Sequence, residues 1–396
     1  MDTLSIVYLR QNSHEVNIKQ GPSQYWRSTF NKRYIWSDAE LRENISPPNL
    51  SCGCIWVSMI LIFLYCTGLY QYFLAWSFTK NYTHWGPSNT LGPLIQQLQN
   101  KEDVSLVPVN EFIYPYISIY KDKCTSRNDE SVRLIYIVKS SIYNFARRKA
   151  IRNTWGFENR FSDVNIRTVF LLGISPEHPL DMQEKLEKEI HKHKDIIQAD
   201  FIDSYFNNTA KTMMGLHWAF TYCKDANYFF FADDDYYIST RNVLRFLRDP
   251  INYPTYLQKY VVQAVNQYQD DLYAGFVFRK SSPIRWVFSK WYVDLDEYPY
   301  SYWPPYVTAG AYVLSRYSLE YLYYASIYTY YFRFDDIFLG MAAKKAGLEP
   351  LHHSEFYFQQ KPYELESYKW VIASHGFNDP LYMEEVWNEQ RSSRNS

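Results

Sequence analysis

Short apolar runs alternate with stretches of helical periodicity between residues 131 and 231. The short runs predict buried strands, and apolar residues about four positions apart, as at Met182, Leu186 and Ile190, predict helices with one buried face. This alternation predicts an α/β domain with a parallel sheet whose strands are joined by right-handed crossovers. The predicted order is strand 134–138, helix 147–154, strand 168–172, helix 180–194, a strand leading into 200–203, helix 210–222 and strand 228–231.

The pattern is less regular toward the C-terminus. Apolar runs predict strands near 261–265, 272–278 and 312–314, and an aromatic stretch covers 286–303. A further helix is expected to follow residue 336.

A long apolar segment precedes the predicted domain. No charged residue occurs between Glu43 and Lys80, and residues 55–78 are mostly apolar, which is enough to span about 30 Å of hydrocarbon as a helix. We interpret this segment as an uncleaved membrane anchor, since a cleaved signal peptide has a shorter apolar region nearer the N-terminus. Flanking basic residues favour a cytosolic N-terminus. The expected organisation is a cytosolic tail at 1–54, a transmembrane anchor at 55–78, a lumenal stem at 79–130 and a globular domain at 131–391.

A lumenal location would have two chemical consequences. The sequons that begin at Asn81 and Asn207 would become glycosylation acceptors. Cys124 and Cys223, the two cysteines of the large C-terminal part, would be able to form a single disulfide, although two cysteines are too few for a disulfide scaffold.

Composition narrows the class of partner. The chain has 41 Lys and Arg residues against 42 Asp and Glu residues. This balance argues against nucleic acid as the main partner, because a phosphate backbone is met by a basic excess. The 39 Tyr and 12 Trp residues supply flat faces with a polar edge, as sugar-binding clefts use, but core and interface packing explains most of them.

An acidic triplet, Asp233, Asp234 and Asp235, directly follows the apolar strand. In a parallel sheet, ligands bind at the carboxyl ends of the strands, where these residues fall. Carboxylate oxygens are the preferred ligands of Mg²⁺ and Mn²⁺, which keep open positions for the phosphate oxygens of a substrate. The triplet therefore predicts a divalent-metal and diphosphate site, and a solvated acidic turn is the alternative.

An acidic pair, Asp335 and Asp336, lies among aromatic and apolar residues at a predicted helix start. One of these carboxylates can act as a general base that deprotonates an acceptor hydroxyl. Helix capping is an equally consistent role from spacing alone, because aspartate is favoured at helix N-termini.

Basic residues stand near other predicted strand ends. Arg147, Arg148 and Arg152 follow the first strand and carry forked donors suited to phosphates, although a solvated basic helix also explains them. Lys211, which follows Asp203 and a third strand end, can add another phosphate contact.

The C-terminal part supplies two further candidate features. His375 and the pair His352-His353 are candidate third metal ligands because imidazole also suits Mn²⁺, although a lone histidine is more often structural. The segment 303–312 combines two prolines, flat rings and small residues, and it predicts either a rigid wall for a sugar or a packing turn. Its candidate wall residues are Trp303, Tyr306 and Gly310.

Taken in order, these segments resemble glycosyltransferase family 31, the inverting enzymes that make β1,3-linked galactose and N-acetylglucosamine. The resemblance covers residues 132–387, and the segments around the triplet, the wall and the acidic pair are most similar to those of an invertebrate glycolipid enzyme of this family. The motifs are Arg148-x-x-Ile151-Arg152-x-Thr154-Trp155-Gly156, Phe170-Leu171-Leu172-Gly173, Asp200-Phe201-x-Asp203-Ser204-Tyr205-x-Asn207-x-Thr209-x-Lys211-Thr212, the acidic triplet, Pro305-Tyr306 with Gly310, and the acidic pair.

The resemblance implies a GT-A fold, that is, an α/β domain with a mixed, mainly parallel sheet flanked by helices. It also implies a Golgi type II membrane protein and transfer from UDP-galactose or UDP-N-acetylglucosamine to a glycolipid or glycoprotein glycan. It also implies Mn²⁺ or another divalent metal as cofactor. By position, the metal ligands would be Asp233, Asp235 and His375, and the base would be Asp336. The UDP-sugar would contact Arg148, Arg152, Asp203, Lys211, Asp233 and Asp234. The acceptor or sugar wall would comprise Trp303, Tyr306, Gly310 and Asp335.

Two departures from the family pattern leave the donor sugar open. Many members have Lys two residues before the triplet, where this chain has Phe231, and Glu-Asp-Val where it has Asp335-Asp336-Ile337. Two other functions are also consistent with the residues, because a fold does not guarantee an activity. One is a glycosyltransferase-like lumenal binding protein or chaperone without catalysis, and the other is a metal-dependent nucleotide-sugar hydrolase.

Overall fold

The computed structural model describes residues 52–82, 88, 90–125, 131–175, 177, 180–258 and 271–395. The chain forms two compact units, residues 1–59 and 60–396, and the contacts of the sheet and of the site lie within the second. Residues 1–51 of the expected tail and the strand expected near 261–265 lie outside the described residues.

An eight-stranded mixed sheet forms the centre of the second unit. Its spatial order is β1 (Tyr116–Ser118), β4 (Ile196–Ile202), β3 (Ile166–Ile174), β2 (Leu134–Lys139), β5 (Tyr228–Asp233), β8 (Tyr306–Ser315), β7 (Tyr273–Phe278) and β9 (Leu351–His352). Strands β4, β3, β2 and β5 are parallel neighbours, whereas β8 is antiparallel to both β5 and β7. The predicted mixed sheet with a parallel centre is confirmed.

Helices cover both faces of this sheet. They are α4 (Gly92–Gln99), α5 (Phe145–Asn153), α6 (Leu180–His193), α7 (Asn208–Tyr222), α8 (Thr240–Phe246), α9 (Thr255–Gln258), α10 (Arg316–Ile327), α11 (Asp335–Ala346) and α12 (Pro380–Ser392). Successive side chains of a strand point to opposite faces, so β2 contributes to two cores. Ile135 and Ile137 join the core under α7, α10 and α11, whereas Leu134, Tyr136 and Val138 join the core under α5, α6 and α12. Both faces are buried, which explains why β2 is apolar almost throughout.

A small second sheet brings the C-terminal region to the acidic triplet. It consists of β10 (Phe356–Tyr357), β11 (Ala373–Ser374) and β6 (Tyr237–Ile238), in that order. Because β11 and β6 are antiparallel and Ser374 is paired with Tyr237, His375 is placed beside Asp235.

The apolar segment near the N-terminus is divided between helices. These are α1 (Cys52–Thr67), α2 (Leu69–Leu74) and α3 (Phe78–Asn81). Gly68 separates the first two with a left-handed backbone, φ +68°, in which its missing side chain leaves room for the carbonyl of Arg285. In the described part of the chain, no helix has both the length and the apolar character needed to cross a bilayer. The single helix expected over 55–78 is therefore not observed.

Part of the expected stem contacts the globular domain. Leu91 and Ile95 are fully buried in one of the two cores, and β1 pairs with the edge strand β4. Cys124 forms a disulfide with Cys223, which follows α7. Described residues between 91 and 125 thus contact the sheet and its cores through partners far along the chain, and the stem boundary expected near 130 stays a prediction.

Candidate active site

The ends of β2 and β5 and the start of α11 meet at one cavity. It has a volume of about 370 Å³, and its lining includes Lys139, Asp233, Asp335 and Asp336. A larger cavity of about 950 Å³ lies elsewhere, and none of the predicted site residues lines it. We assign the chemistry to the smaller cavity because carboxylates from two distant parts of the sequence converge there.

Lys139 connects the acidic triplet to the acidic pair. Its Nζ lies 3.0 Å from Oδ1 of Asp233 and 2.8 Å from Oδ2 of Asp335, which also accepts a hydrogen bond of 2.9 Å from Thr212. Burial alone would lower the pKa of Lys139, but the two carboxylates outweigh it and raise the pKa. Sequence reasoning missed this residue, although a lysine that ends an otherwise apolar strand beside the triplet strand was the available signal.

Asp233 therefore has a mixed environment. Burial raises the pKa of its carboxyl to about 6, with Lys139 opposing and the charges of Asp235 and Asp335 adding to the rise. Its side chain is still 37% exposed toward the cavity. A cationic ligand group in the cavity would favour the ionised form.

Asp234 points away from the cavity and into the loop that follows β2. Its carboxylate accepts hydrogen bonds from Ser140 at 2.6 Å, Asn144 at 2.8 Å and Arg147 at 2.8 Å. Arg147 also donates to Asn378 at 2.9 Å. These contacts hold the β2–α5 loop and the C-terminal region against the triplet.

Asp235 and His375 form the other half of the triplet site. Nε2 of His375 lies 3.4 Å from Oδ2 of Asp235, and its ring packs on Tyr236 with centroids 5.1 Å apart. Burial opposes ionisation of Asp235, but His375 and Arg147 outweigh it and lower the pKa of the carboxyl. In turn, the hydrogen bond between His375 and Asp235 raises the pKa of His375.

The fit of a divalent metal rests on one unpaired oxygen. Oδ1 of Asp235 is buried and has no hydrogen-bond partner, which is costly unless a cation or water contacts it. Carboxylate and imidazole donors suit Mn²⁺, so Asp235 and His375 fit this ion, and Asp233 is the neighbouring carboxylate. Across the described residues, no three His, Cys, Asp or Glu side chains are arranged as a complete metal-binding cluster. The remaining ligands would have to come from the substrate or from water.

Among the described residues, Asp336 is the one carboxylate of the triplet and the pair that forms no ion pair. Burial, followed by the charge of Asp335, raises the pKa of Asp336 to about 7. Its Oδ1 accepts a hydrogen bond of 2.8 Å from the amide of Ile337, and among the described residues it forms no ion pair. The N-cap of α11 is Phe334, so Asp336 lies in the first turn rather than at the cap. A carboxylate with a raised pKa at a cavity can accept a proton near neutral pH, so Asp336 stays the candidate for the base.

Arg148 and Arg152 lie in an ion-pair network between α5 and α6. The guanidinium of Arg148 is fully buried, and it donates to Glu189 and to loop carbonyls. Arg152 binds Glu189 at 2.6 Å and Asp195 at 2.7 Å. Neither arginine lines the cavity, but Arg148 donates to the hydroxyl of Ser140 at 3.2 Å, and that hydroxyl donates to Asp234 at 2.6 Å.

Asp203 and Lys211 connect two strand ends. Nζ of Lys211 lies 2.7 Å from Oδ1 of Asp203 and 2.6 Å from the carbonyl of Ser140. Both side chains are nearly buried. Neither residue is part of the cavity lining.

The predicted wall is assembled in part. Trp303 and Tyr306 line the cavity, as does Asp335. Gly310 instead lies against the ring of Tyr236, where a Cβ atom would be 2.4 Å from the tyrosine oxygen. Wall residues that sequence reasoning did not identify include Tyr205, Phe278 and Trp291, which come from distant segments.

The remaining candidates lie apart from the carboxylates. Nδ1 of His352 accepts the amide of Val277, and His353 is buried with its Nε2 3.0 Å from the carbonyl of Tyr253. Asn207 donates to the carbonyl of Ile202 at 2.7 Å. The side chain of Asn81 lies outside the described residues. Glycosylation at both asparagines stays a prediction.

Comparison with known proteins gives a consistent set of relatives. A family model described as Galactosyltransferase matches residues 146–354. The chain is 47% identical over 267 residues to beta-1,3-galactosyltransferase brn of Drosophila melanogaster, covering 67% of this chain and 76% of the relative. It is 32% identical over 288 residues to beta-1,3-galactosyltransferase 1 of Mus musculus, covering 72% of this chain and 82% of the relative.

The name of a third relative gives a different transferred sugar, N-acetylglucosamine. The chain is 34% identical over 290 residues to lactosylceramide 1,3-N-acetyl-beta-D-glucosaminyltransferase B of Danio rerio, covering 72% of this chain and 71% of the relative. Among solved structures, the galactosyltransferase LgtC in complex with donor and acceptor sugar analogs is 13% identical, with a TM-score of 0.32, and the match covers 65% of this chain and 95% of that one.

Proposed function

Because the chain belongs to the galactosyltransferase family, we propose that it is an inverting β1,3-glycosyltransferase. It moves galactose or N-acetylglucosamine from the UDP conjugate to the 3-hydroxyl of a glycan. A hexosyltransferase role follows from the family, whereas the linkage, the stereochemistry and the donor belong to the proposal. The observation that carries it is the unpaired, basic carboxylate of Asp336 in the cavity that also contains Asp233.

Asp336 acts as the general base in this proposal. The acceptor 3-hydroxyl gives its proton to the Asp336 carboxylate while its oxygen forms a bond to the anomeric carbon of the donor, on the face opposite UDP. The bond between the anomeric carbon and the β-phosphate oxygen breaks, and UDP leaves with the electron pair. A base whose pKa lies near 7 is both available and strong enough at neutral pH.

A divalent metal, Mn²⁺ in the first instance, would be held by Asp235 and His375 with Asp233 beside them. When bound, it would offset the negative charge of the diphosphate. Two cations of the protein, Lys139 and Arg147, are already paired with carboxylates of the site.

We propose a positioning role for four residues expected to contact the UDP-sugar. Arg148, Arg152, Asp203 and Lys211 are all engaged by protein partners. Lys211 and Arg148 both bind the loop that follows β2, through the carbonyls of Ser140 and Ser141. They would thus support the donor site by fixing the loop that Asp234 also binds.

We further propose that the enzyme acts at the Golgi membrane on a glycolipid or glycoprotein glycan. The family resemblance supports the location, and the apolar segment 55–78 supports membrane association. Many of its large apolar side chains are exposed, including Leu61, Ile62, Phe73 and Leu74. Exposed apolar patches of this extent mark interaction or membrane sites.

The experiment uses the full chain in detergent, because α2 packs on the wall of the site and described residues between 91 and 125 contact the sheet and its cores. The protein is incubated with Mn²⁺, a mannosyl- or N-acetylglucosaminyl-terminated acceptor, and either UDP-galactose or UDP-N-acetylglucosamine. Product mass and linkage are measured. A β1,3 product from one donor supports the proposal and identifies the sugar.

The Asp336→Asn variant is the matched control. It should bind the donor normally and turn over about 10² to 10⁴ times more slowly. Hydrolysis of the donor without a glycan product would favour a nucleotide-sugar hydrolase. No consumption of either donor would favour a binding protein without catalysis.

A further inference from the structure

The segment 284–303 has α2 on one side and the catalytic cavity on the other. The amide of Trp76 donates to the carbonyl of Pro299 at 2.8 Å, and the amide of Ser301 donates back to Trp76 at 2.9 Å. Gln71 of α2 is almost fully buried and donates to the hydroxyl of Tyr292 at 3.1 Å. The end of the apolar N-terminal segment is therefore fixed to a wall of the active site.

A buried arginine holds this segment in one conformation. The guanidinium of Arg285 is 1% exposed and donates to the carbonyls of Val293, Tyr298 and Tyr300, at 2.7, 2.7 and 3.2 Å. Its backbone carbonyl lies against Gly68, where a Cβ atom would be only 1.9 Å from the oxygen. The close approach of Gly68 lets α2 pack directly on the segment.

The same segment presents a row of exposed aromatic side chains, which we name the aromatic rim: Trp286, Phe288 and Trp291. They are 52%, 72% and 46% exposed. Trp291 also lines the catalytic cavity. The ammonium of Lys290 lies 4.3 Å from the ring centroid of Trp291, and within 284–291 the two charged residues, Arg285 and Lys290, are both cationic.

We propose that the aromatic rim and α2 form one membrane-contacting surface, which seats the rim in the bilayer interface and opens the catalytic cavity toward acceptors held in the membrane. Exposed Trp and Phe with a neighbouring Lys suit the membrane–water interface, where amphipathic rings lie at headgroup depth and Lys reaches the headgroups. The rim is continuous with the apolar N-terminal segment through direct contacts: the amide of Arg285 donates to the hydroxyl of Tyr72 at 3.3 Å, and the amide of Val287 donates to the carbonyl of Cys66 at 3.4 Å. Phe73, next to Tyr72 on α2, is 86% exposed. This continuity favours a bilayer over a protein partner.

The inference rests on the proposed glycosyl transfer and adds how the acceptor is presented. The test uses the full chain in vesicles of phosphatidylcholine and phosphatidylserine. One acceptor is a lipid-linked glycan in the vesicle, and the other is the same glycan as a water-soluble glycoside. The variants are the double change Trp286→Glu and Phe288→Glu and, as a matched control, Leu381→Glu, which alters a 75% exposed apolar residue on α12.

The rim variant should lower the ratio of lipid-linked to soluble transfer about tenfold, which corresponds to about 1.4 kcal/mol. Transfer to the soluble glycoside should be unchanged, and the control should keep the wild-type ratio. An unchanged ratio in the rim variant overturns the proposal. An equal loss of transfer to both acceptors also overturns the proposal, because it would make the rim part of the glycan site. A wild-type dimer that becomes a monomer in the rim variant overturns it as well, because the rim would then be a contact between copies.

A second measurement does not depend on activity. A polarity-sensitive probe is attached through Phe288→Cys, in a chain carrying Cys52→Ser, Cys54→Ser and Cys66→Ser. Brominated lipids should quench this probe and should not quench the same probe attached through Leu381→Cys. If the wild-type protein transfers no sugar, the proposed function fails, and the quenching still decides whether the rim contacts the membrane. Equal quenching of the probe at both positions would overturn the proposed membrane-contacting surface.

Discussion

Replacing Asp336 by Asn should increase stability while it slows turnover by about 10² to 10⁴ times. The rise in the pKa of this carboxyl from 3.8 to about 7 corresponds to a cost of about 4 kcal/mol for keeping it ionised in the folded state. Because the folded-state pKa is the higher one, stability is fully present below the unfolded pKa and is lost as the pH rises through about 7. Asn keeps an oxygen for the amide of Ile337 and carries no charge.

The assay compares the free energy of unfolding of wild type and Asp336→Asn at two pH values, in buffer without divalent metal. The variant's advantage should grow by about 2 to 3 kcal/mol between about pH 5 and about pH 8, where Asp336 ionises in the folded protein. Transfer activity is measured on the same samples. A stability difference that does not change with pH would refute the environment assigned to Asp336. Normal turnover by the variant would refute its role as the base.

Three further outcomes test the arrangement around this base. Lys139→Met should destabilise the protein by about 3 kcal/mol, since it leaves the buried carboxylate of Asp335 and the partly exposed carboxylate of Asp233 without their cation, whereas Lys139→Arg should recover part of the loss in thermal denaturation. His375→Ala should weaken Mn²⁺ binding, measured by electron paramagnetic resonance of the free ion, and an unchanged affinity would remove His375 from the ligand set. Gly310→Ala should cost about 1 to 3 kcal/mol of stability, because its methyl group meets the ring of Tyr236; an unaltered melting temperature would contradict that contact.

The parallel half of the sheet could be predicted because each of its strands is specified by a short run of neighbouring residues. Each strand from β2 to β5 is an apolar run of its own, and the helices between them show their period directly. β1 could not be predicted in this way, because three residues at Tyr116–Ser118 become a strand only through pairing with β4. The division of the apolar segment at Gly68 was also hidden, since the carbonyl that approaches the glycine comes from Arg285.

The parts of the site that could be predicted are those that lie at a strand end or at a helix start. The acidic triplet ends a strand and the acidic pair starts a helix, and the fold brings both to one cavity. Arg148 and Arg152 were expected to bind phosphates because a sequence does not show their partners. Glu189 and Asp195, which neutralise them, lie on α6 and just after it. Forked donors next to a strand end thus predict a binding role only when no nearby carboxylate is available to them.

The balance of charges in the site explains why Asp336 forms no ion pair among the described residues. Five carboxylates belong to the acidic triplet and the acidic pair, but Lys139 and Arg147 supply just two fixed positive charges to them, and His375 is a third only when protonated. The register of β2 with β5 pairs Lys139 with Asp233, and its side chain extends to Asp335 as well. One lysine therefore forms an ion pair with one member of each acidic group. Burial and then the charge of Asp335 raise the pKa of Asp336, and Lys139 opposes that rise without forming an ion pair with Asp336 among the described residues.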